Sequence, residues 1–233
     1  MGKIIVTDLT RFGKPIDVCI AGTDVVSRKC IRPLPYLKMA ACVQLGILPG
    51  AILSADFKPK TGVVGPHQED AEYSNLQFVG PCSSDEFKDA LAAGLFNSVE
   101  AGFDIKLANA QKHVPIGHPL DRSIITLAVN PKSIQIVEDG FNPGKIKIHI
   151  TDGSGRQFKY LPITDLGFHR FADKHRADED LMGLNDFIRN QRETYLRIGL
   201  SRAFEIRGTT GYWMQVNGVY TFPGFIKEIR SYK

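Results

Sequence analysis

Residues 145–150 alternate without exception: Lys145-Ile146-Lys147-Ile148-His149-Ile150. A period of two sends neighbouring side chains to opposite faces of a strand, so the three isoleucines face a core and Lys145, Lys147 and His149 face outward. Asp152-Gly153-Ser154-Gly155 follows as a hairpin turn, and residues 157–161 return with Phe158 and Tyr160 expected on the core face. A lone hairpin is barely stable in water. This one therefore needs further strands or a packed helix, and a purely helical chain is excluded.

The rest of the chain supplies those strands. Residues 3–7, 17–21, 29–32 and 51–57 are short apolar runs separated by Gly, Pro and Asp turns, and residues 123–129, 134–137, 196–202 and 212–216 repeat the pattern later. Two stretches read as helix. Over residues 83–96, Ser83 and Glu86 have capping-box spacing, and Phe87, Ala90, Leu91 and Leu95 share a face. Over residues 178–195, Leu181, Leu184, Ile188 and Tyr195 form a stripe. Residues 102–120 have weak periodicity and read as a connector. The expected division is an N-terminal domain over residues 1–115, with a trailing helix and connector, and a C-terminal domain over residues 116–233, with an inserted helix. Several strands, a helix and two more strands suit a five-stranded, partly open barrel, which limits exposed edges. The expected fold is mostly β with some α: two OB-like barrels with connecting helices. There is also an internal echo, because Thr7-Asp8-Leu9 near the start matches Thr164-Asp165-Leu166. Duplication and chance both account for a match this short.

Charge narrows the partners. The net charge is +4, but residues 1–65 and 156–233 are basic and the middle is acidic. Such ends can line a groove for a polyanion or be ordinary surface scatter. The four cysteines, Cys19, Cys30, Cys42 and Cys82, form no Cys-x-x-Cys pair and read as free thiols in a reducing compartment. No apolar run approaches the length of a membrane span, and the first residues lack a signal-peptide core. A cytoplasmic protein with no membrane partner is expected.

Several segments carry a resemblance. Ile5-Val6-Thr7-Asp8-Leu9-Thr10-Arg11, Cys19-Ile20-Ala21-Gly22 and Cys30-Ile31-Arg32-Pro33 are three of them. Pro66-His67-Gln68-Glu69-Asp70, Pro162-Ile163-Thr164-Asp165-Leu166, Tyr195-Leu196-Arg197-Ile198-Gly199-Leu200-Ser201-Arg202 and Val219-Tyr220-Thr221-Phe222-Pro223 complete the set. Together the chain resembles the prokaryotic dual OB-domain family. The resemblance implies two OB-like barrels and a role in binding nucleic acid or nucleotides. It also implies an accessory place in a prokaryotic defence system. It implies no specific chemistry.

Catalytic motifs are incomplete. His67-Gln68-Glu69 followed by Pro81-Cys82-Ser83-Ser84-Asp85 approaches a zinc-deaminase signature, but Asp85 replaces the last cysteine. Gly140-Phe141-Asn142-Pro143-Gly144-Lys145 falls one residue short of a phosphate loop, with Ile146 where Ser or Thr belongs. Asp8, His67, Glu69, Asp70 and Asp165 offer hard ligands for a metal-dependent nuclease, the main enzymatic alternative. Their structural reading is as turn caps and a polar loop. The sequence therefore reads as a binding module rather than an enzyme, with no catalytic residue, resident metal or cofactor expected. A subunit that docks a partner protein is a third reading.

The binding candidates are cations and one aromatic. In residues 196–202, Leu196, Ile198 and Leu200 take the core face, leaving Arg197, Gly199 and Ser201 outward. In residues 212–216, Tyr212, Met214 and Val216 point inward, leaving Trp213 and Gln215 outward. An outward Trp stacks a base of any identity. Lys147, His149 and Lys159 make an outward strip on the hairpin. Arg11, Arg32 and Arg202 add charge able to follow phosphates. Single-stranded DNA or RNA, or a nucleotide, is the expected ligand.

Overall fold

The computed structural model describes residues 1–13 and 16–225. The first strands are β1 (Gly2–Arg11), β2 (Asp17–Asp24), β3 (Cys30–Leu34) and the short β4 (Leu37–Lys38). Helix α1 (Met39–Leu45) leads to β5 (Ala51–Pro59) and β6 (Asp70–Pro81). Antiparallel pairing joins β1 to both β2 and β5, β2 to β3, and β5 to β6, while β3 and β6 pair in parallel. These five strands close into a barrel. Long β1 serves two neighbours because its register shifts between Val6 and Asp8. Such a bulge bends a strand and increases its twist. Ile4, Val6, Ile20 and Leu53 fill the interior.

Helix α2 (Ser84–Ala92) begins at Ser83, and the capping box with Glu86 forms as the spacing predicts. Then come β7 (Leu95–Phe96), α3 (Val99–Phe103), β8 (His113–Pro115) and β9 (Ile124–Val129). A 3-10 turn, Pro131–Ser133, separates β9 from β10 (Ile134–Glu138). The expected hairpin follows as β11 (Ile146–Thr151) and β12 (Gln157–Pro162). Helices α4 (Leu166–Ala177) and α5 (Leu181–Arg189) lead to β13 (Glu193–Leu200), β14 (Phe204–Ile206) and β15 (Thr209–Phe222). One sheet orders β10-β11-β12; the other runs β14-β15-β13-β9-β7. The two sheets meet across Pro131–Ser133 on one side and through an Ile163–Val216 parallel bridge on the other. The protein is thus mostly β with a few helices and a closed barrel, as the sequence predicts. No helix among the described residues is long and apolar enough to cross a membrane.

The two main cores stay separate, apart from Leu166, which packs into the first. A small third cluster of Ile5, Phe87, Ala90, Leu91 and Tyr220 spans both halves. The second core already includes Val99 and Phe103, and β7 pairs with β9. The chain therefore joins its second half earlier than the 115/116 division read from sequence.

Three local expectations change. The helix expected over residues 178–195 is broken: Glu179 takes φ +58°, Asp180 caps α5 by accepting from Gly183 N, and residues from Glu193 pair as a strand. Helix α4, unseen in the sequence, starts where Asp165 accepts from Phe168 N. Tyr160 leaves the core face. A register shift sits opposite Ile148 and Ile150, Tyr160 adopts φ +58°, and its ring turns beside His149 instead. A bulge sets two residues opposite one, so alternation fails there.

The free edge of β10 is covered by a side chain. Asn185 Oδ1 accepts from Ile136 N at 2.7 Å and Nδ2 donates to Ile136 O at 2.9 Å. The amide stands where another strand would. Replacing it by alanine (Asn185→Ala) strands both backbone groups and is expected to lower stability by about 1–3 kcal/mol, measured by urea denaturation; an unchanged midpoint would mean that water replaces the amide.

Candidate functional site

Most motif residues converge at the junction between the two halves, and they point inward. Arg197 Nε donates to Asp8 Oδ2 at 2.9 Å, Nη1 to Thr126 Oγ1 at 2.9 Å and Nη2 to Cys30 Sγ at 3.6 Å. Arg32 Nε donates to Asp70 Oδ1 at 2.7 Å, and Arg202 reaches the other Asp70 oxygen at 2.9 Å. Glu69 accepts from Ile124 N and Ser123 Oγ, both at 3.0 Å. His67 Nε2 donates to Leu200 O at 3.2 Å. Asp165 Oδ2 accepts from Val219 N at 3.1 Å. The echoed segments meet here, since Thr10 and Asp165 form an isolated bridge.

The outward placement of Arg197 read from the sequence is therefore corrected: it is 2% exposed. Alternation separates the two faces of β13 but does not say that one face meets solvent. The second face lies against β1 and β3, so both are buried. Gly199, on the same face, is also enclosed, because a Cβ there would clash with the Asn217 side-chain amide. Arg32, 5% exposed, is likewise a junction residue rather than a surface cation. The guanidinium of Arg202 is half exposed at the edge of this network. Arg11 stands apart, against α4 beside Asp173 and Arg170.

These placements also bear on the nuclease alternative. Asp8, Glu69 and Asp70 are engaged by Arg197, the Ser123 segment and the Arg32–Arg202 pair respectively. Among the described residues no group of three His, Cys, Asp or Glu side chains is placed to hold a metal ion.

Two junction groups titrate unusually. Burial, followed by Arg32 and Arg202, pushes His67 down from 6.5 to about 4. Burial, aided by Asp8, pushes Asp165 up to about 7 against its backbone N–H donors. The signs oppose each other. Neutral His67 contributes stability that is present above pH 6.5 and lost as pH falls toward 4. Asp165 contributes stability that is present at low pH and lost as pH rises through about 7. Comparing the parent with His67→Gln isolates the first: the variant is expected to lose less stability between pH 6.5 and 4, followed by urea midpoints. Arg197→Ala leaves Asp8 buried without its partner and is expected to cost about 3–5 kcal/mol. The same denaturation assay reads this, and a loss below about 1 kcal/mol would place the residue at the surface after all.

A second constellation lies on the outer face of the C-terminal half. Lys147 and His149 project from β11 and Lys159 from β12, as expected. Lys112 joins them, its Nζ donating to Lys159 O at 3.0 Å. Burial, then repulsion from Lys147, lowers Lys112. Burial, then Lys159 and Lys112, lowers His149. Asp139 opposes this excess at 3.9 Å from Lys147 Nζ. Aromatic rings lie among the cations: Tyr160 packs edge-on against His149 at 4.5 Å, and exposed Phe141 packs against Tyr160 at 5.5 Å.

Lys112 also ties this strip to Trp213. Its carbonyl accepts from Met214 N, and next to it His113 lies opposite Trp213 across β8 and β15. Trp213 and Gln215 are part-exposed while Tyr212, Met214 and Val216 are buried, so the alternation expected here holds. The indole is 4.7 Å from the His113 ring and 6.1 Å from that of Phe204, and its Nε1 donates to Phe204 O at 3.1 Å. The result is a track from Phe204, Trp213 and His113 through Lys112 and Lys159 to His149, Tyr160 and Phe141. The sequence reading missed Lys112, His113, Phe141, Tyr160 and Phe204. Only the exposed Phe141, in a Gly-Pro-rich turn, carried a local signal.

Comparisons with protein-family models, with curated proteins and with solved structures find no match to this chain.

Proposed function

We propose that the protein binds single-stranded nucleic acid along the outer track of its C-terminal half, and that both halves are OB-type barrels. The strand order supports the barrel assignment. In the N-terminal half the ring runs first strand, second, third, fifth, fourth and back to the first, with α1 between the third and fourth. The C-terminal half follows the same order if β9 and β10 count as one bent first strand, with α4 and α5 in place of α1. This is a five-stranded Greek-key barrel, as the resemblance to the dual OB-domain family implies.

One observation carries the binding reading. OB barrels take oligonucleotides on the face of strands two and three and the loops joining strands one to two and four to five. In the C-terminal barrel those positions hold Lys147, His149, Lys159 and Tyr160 on the strands. Phe141 sits in the first loop, and Arg202 and Phe204 beside the second. Cations for phosphates and rings for bases thus occur together where the fold presents ligands. In the N-terminal barrel the equivalent elements, β3 and the segment before β6, are spent on the junction.

The protein's single tryptophan makes the test direct. Titration with single-stranded oligonucleotides is expected to change Trp213 emission, with affinity falling as salt rises. Trp213→Ala is expected to weaken binding by about 1–3 kcal/mol with the salt slope unchanged. Lys159→Ala is expected to reduce the magnitude of that slope by about 0.7. Absence of binding at low salt would refute the proposal. A loss of stability of about 3–5 kcal/mol in Trp213→Ala would make the ring a core element instead.

A further inference from the structure

Beyond the aromatic end of the track, the outer face of β10, β11 and β12 forms a groove of about 340 Å³. Its floor is polar. Gln135 stands opposite His149 across β10 and β11, and Thr151 stands opposite Gln157 across β11 and β12. Its cations are Lys132, Lys159 and Arg189, and among the described residues no carboxylate lines it. Arg189 spends one nitrogen on Asp186. The side chains of Gln135, Thr151 and Gln157 have no hydrogen-bond partner among the described residues, whereas His149 Nε2 is buried, also without a partner among them.

From these features we infer that the groove is a pocket for one nucleotide whose base is read by the amides of Gln135 and Gln157. The inference rests on the nucleic-acid reading and adds selectivity to it. A primary amide offers a donor and an acceptor side by side, which is the pattern a base edge presents and a sugar-phosphate backbone does not. The groove reaches the lower end of the size range of small-ligand sites, enough for a single nucleotide rather than a duplex. Its cations supply a place for the phosphate, and the open amides supply the reading. The Trp213 platform differs: its rings stack any base, the indole N–H is already committed to Phe204 O, and the part-exposed Gln215 stands beside it in place of a facing pair of amides. The track therefore divides into a platform indifferent to sequence and a pocket that discriminates.

The experiment measures affinities of equal-length oligo-dA, oligo-dC and oligo-dT by fluorescence anisotropy, for the parent and for a Gln135→Ala, Gln157→Ala double variant. Both glutamines are exposed, so the variant is expected to melt with the parent. The parent is expected to separate its best and worst ligands by about tenfold or more. The double variant is expected to bind all three within about twofold of one another, with the best ligand losing most. Parent affinities that already agree within about twofold would overturn the inference and leave the nucleic-acid reading standing. So would discrimination that survives in the double variant. If none of the three binds at low salt, the broader reading falls and takes this one with it.

Discussion

The buried ion pair of Asp8 and Arg197 is the interaction on which the arrangement of the two halves depends. Each charge is costly to take out of water, and their attraction offsets that cost only when the remaining donors are also satisfied. Here Thr126 and Cys30 take the other guanidinium nitrogens of Arg197, and Asp70 holds Arg32 and Arg202 together nearby, while Asp8 Oδ1 and Arg32 Nη2 stay buried without a hydrogen-bond partner among the described residues. Such a network is a weak source of net stability, but it is sensitive to geometry. A small shift between the halves would leave several charges buried without partners. Apolar contacts at the same place, such as Phe87 against Tyr220, tolerate more sliding. We read the charged junction as what sets the relative position, and the apolar contacts as what supplies the adhesion.

This junction explains why the two similar halves expose different surfaces. In the N-terminal barrel, Arg32 on β3 and His67, Glu69 and Asp70 ahead of or at the start of β6 face the C-terminal half. The matching surface of the C-terminal barrel faces solvent and carries the cations and rings of the track. Covering that sheet from behind, α5 is held to β10 by Asn185, so the open face is backed by a fixed layer. A rigid backing favours a binding face, because side chains held in place lose less entropy on contact with a ligand.

Much of this was legible in the sequence. The alternation of residues 145–150, the Asp152-Gly153-Ser154-Gly155 turn and the Ser83–Glu86 cap are local signals, and each formed as read because short-range geometry alone decides it. The outward Trp213, Lys147, His149 and Lys159 follow from the same period of two. Strand β6 gave no such signal: most of its residues are exposed and its pairing with β5 shifts register twice, so no alternation was left to see. Tyr160 was misplaced for a related reason, since one bulge residue inverts the parity of the residues after it.

What the sequence could not decide is what lies against a face. Periodicity placed Arg197 on the side of β13 away from its own core, and that is where it is. Whether that side meets water or a second barrel depends on residues far away in the chain, Asp8 above all, 189 positions earlier. The same holds for Lys112 and His113, which lie in a stretch of weak periodicity and join the track only because β8 pairs with β15. The chain by itself determined its strands, its turns and the inward or outward parity of most side chains, because those obey local sterics. Only tertiary structure decided which outward residues become interior, because burial is a property of two surfaces and the sequence near one of them describes only half of the contact.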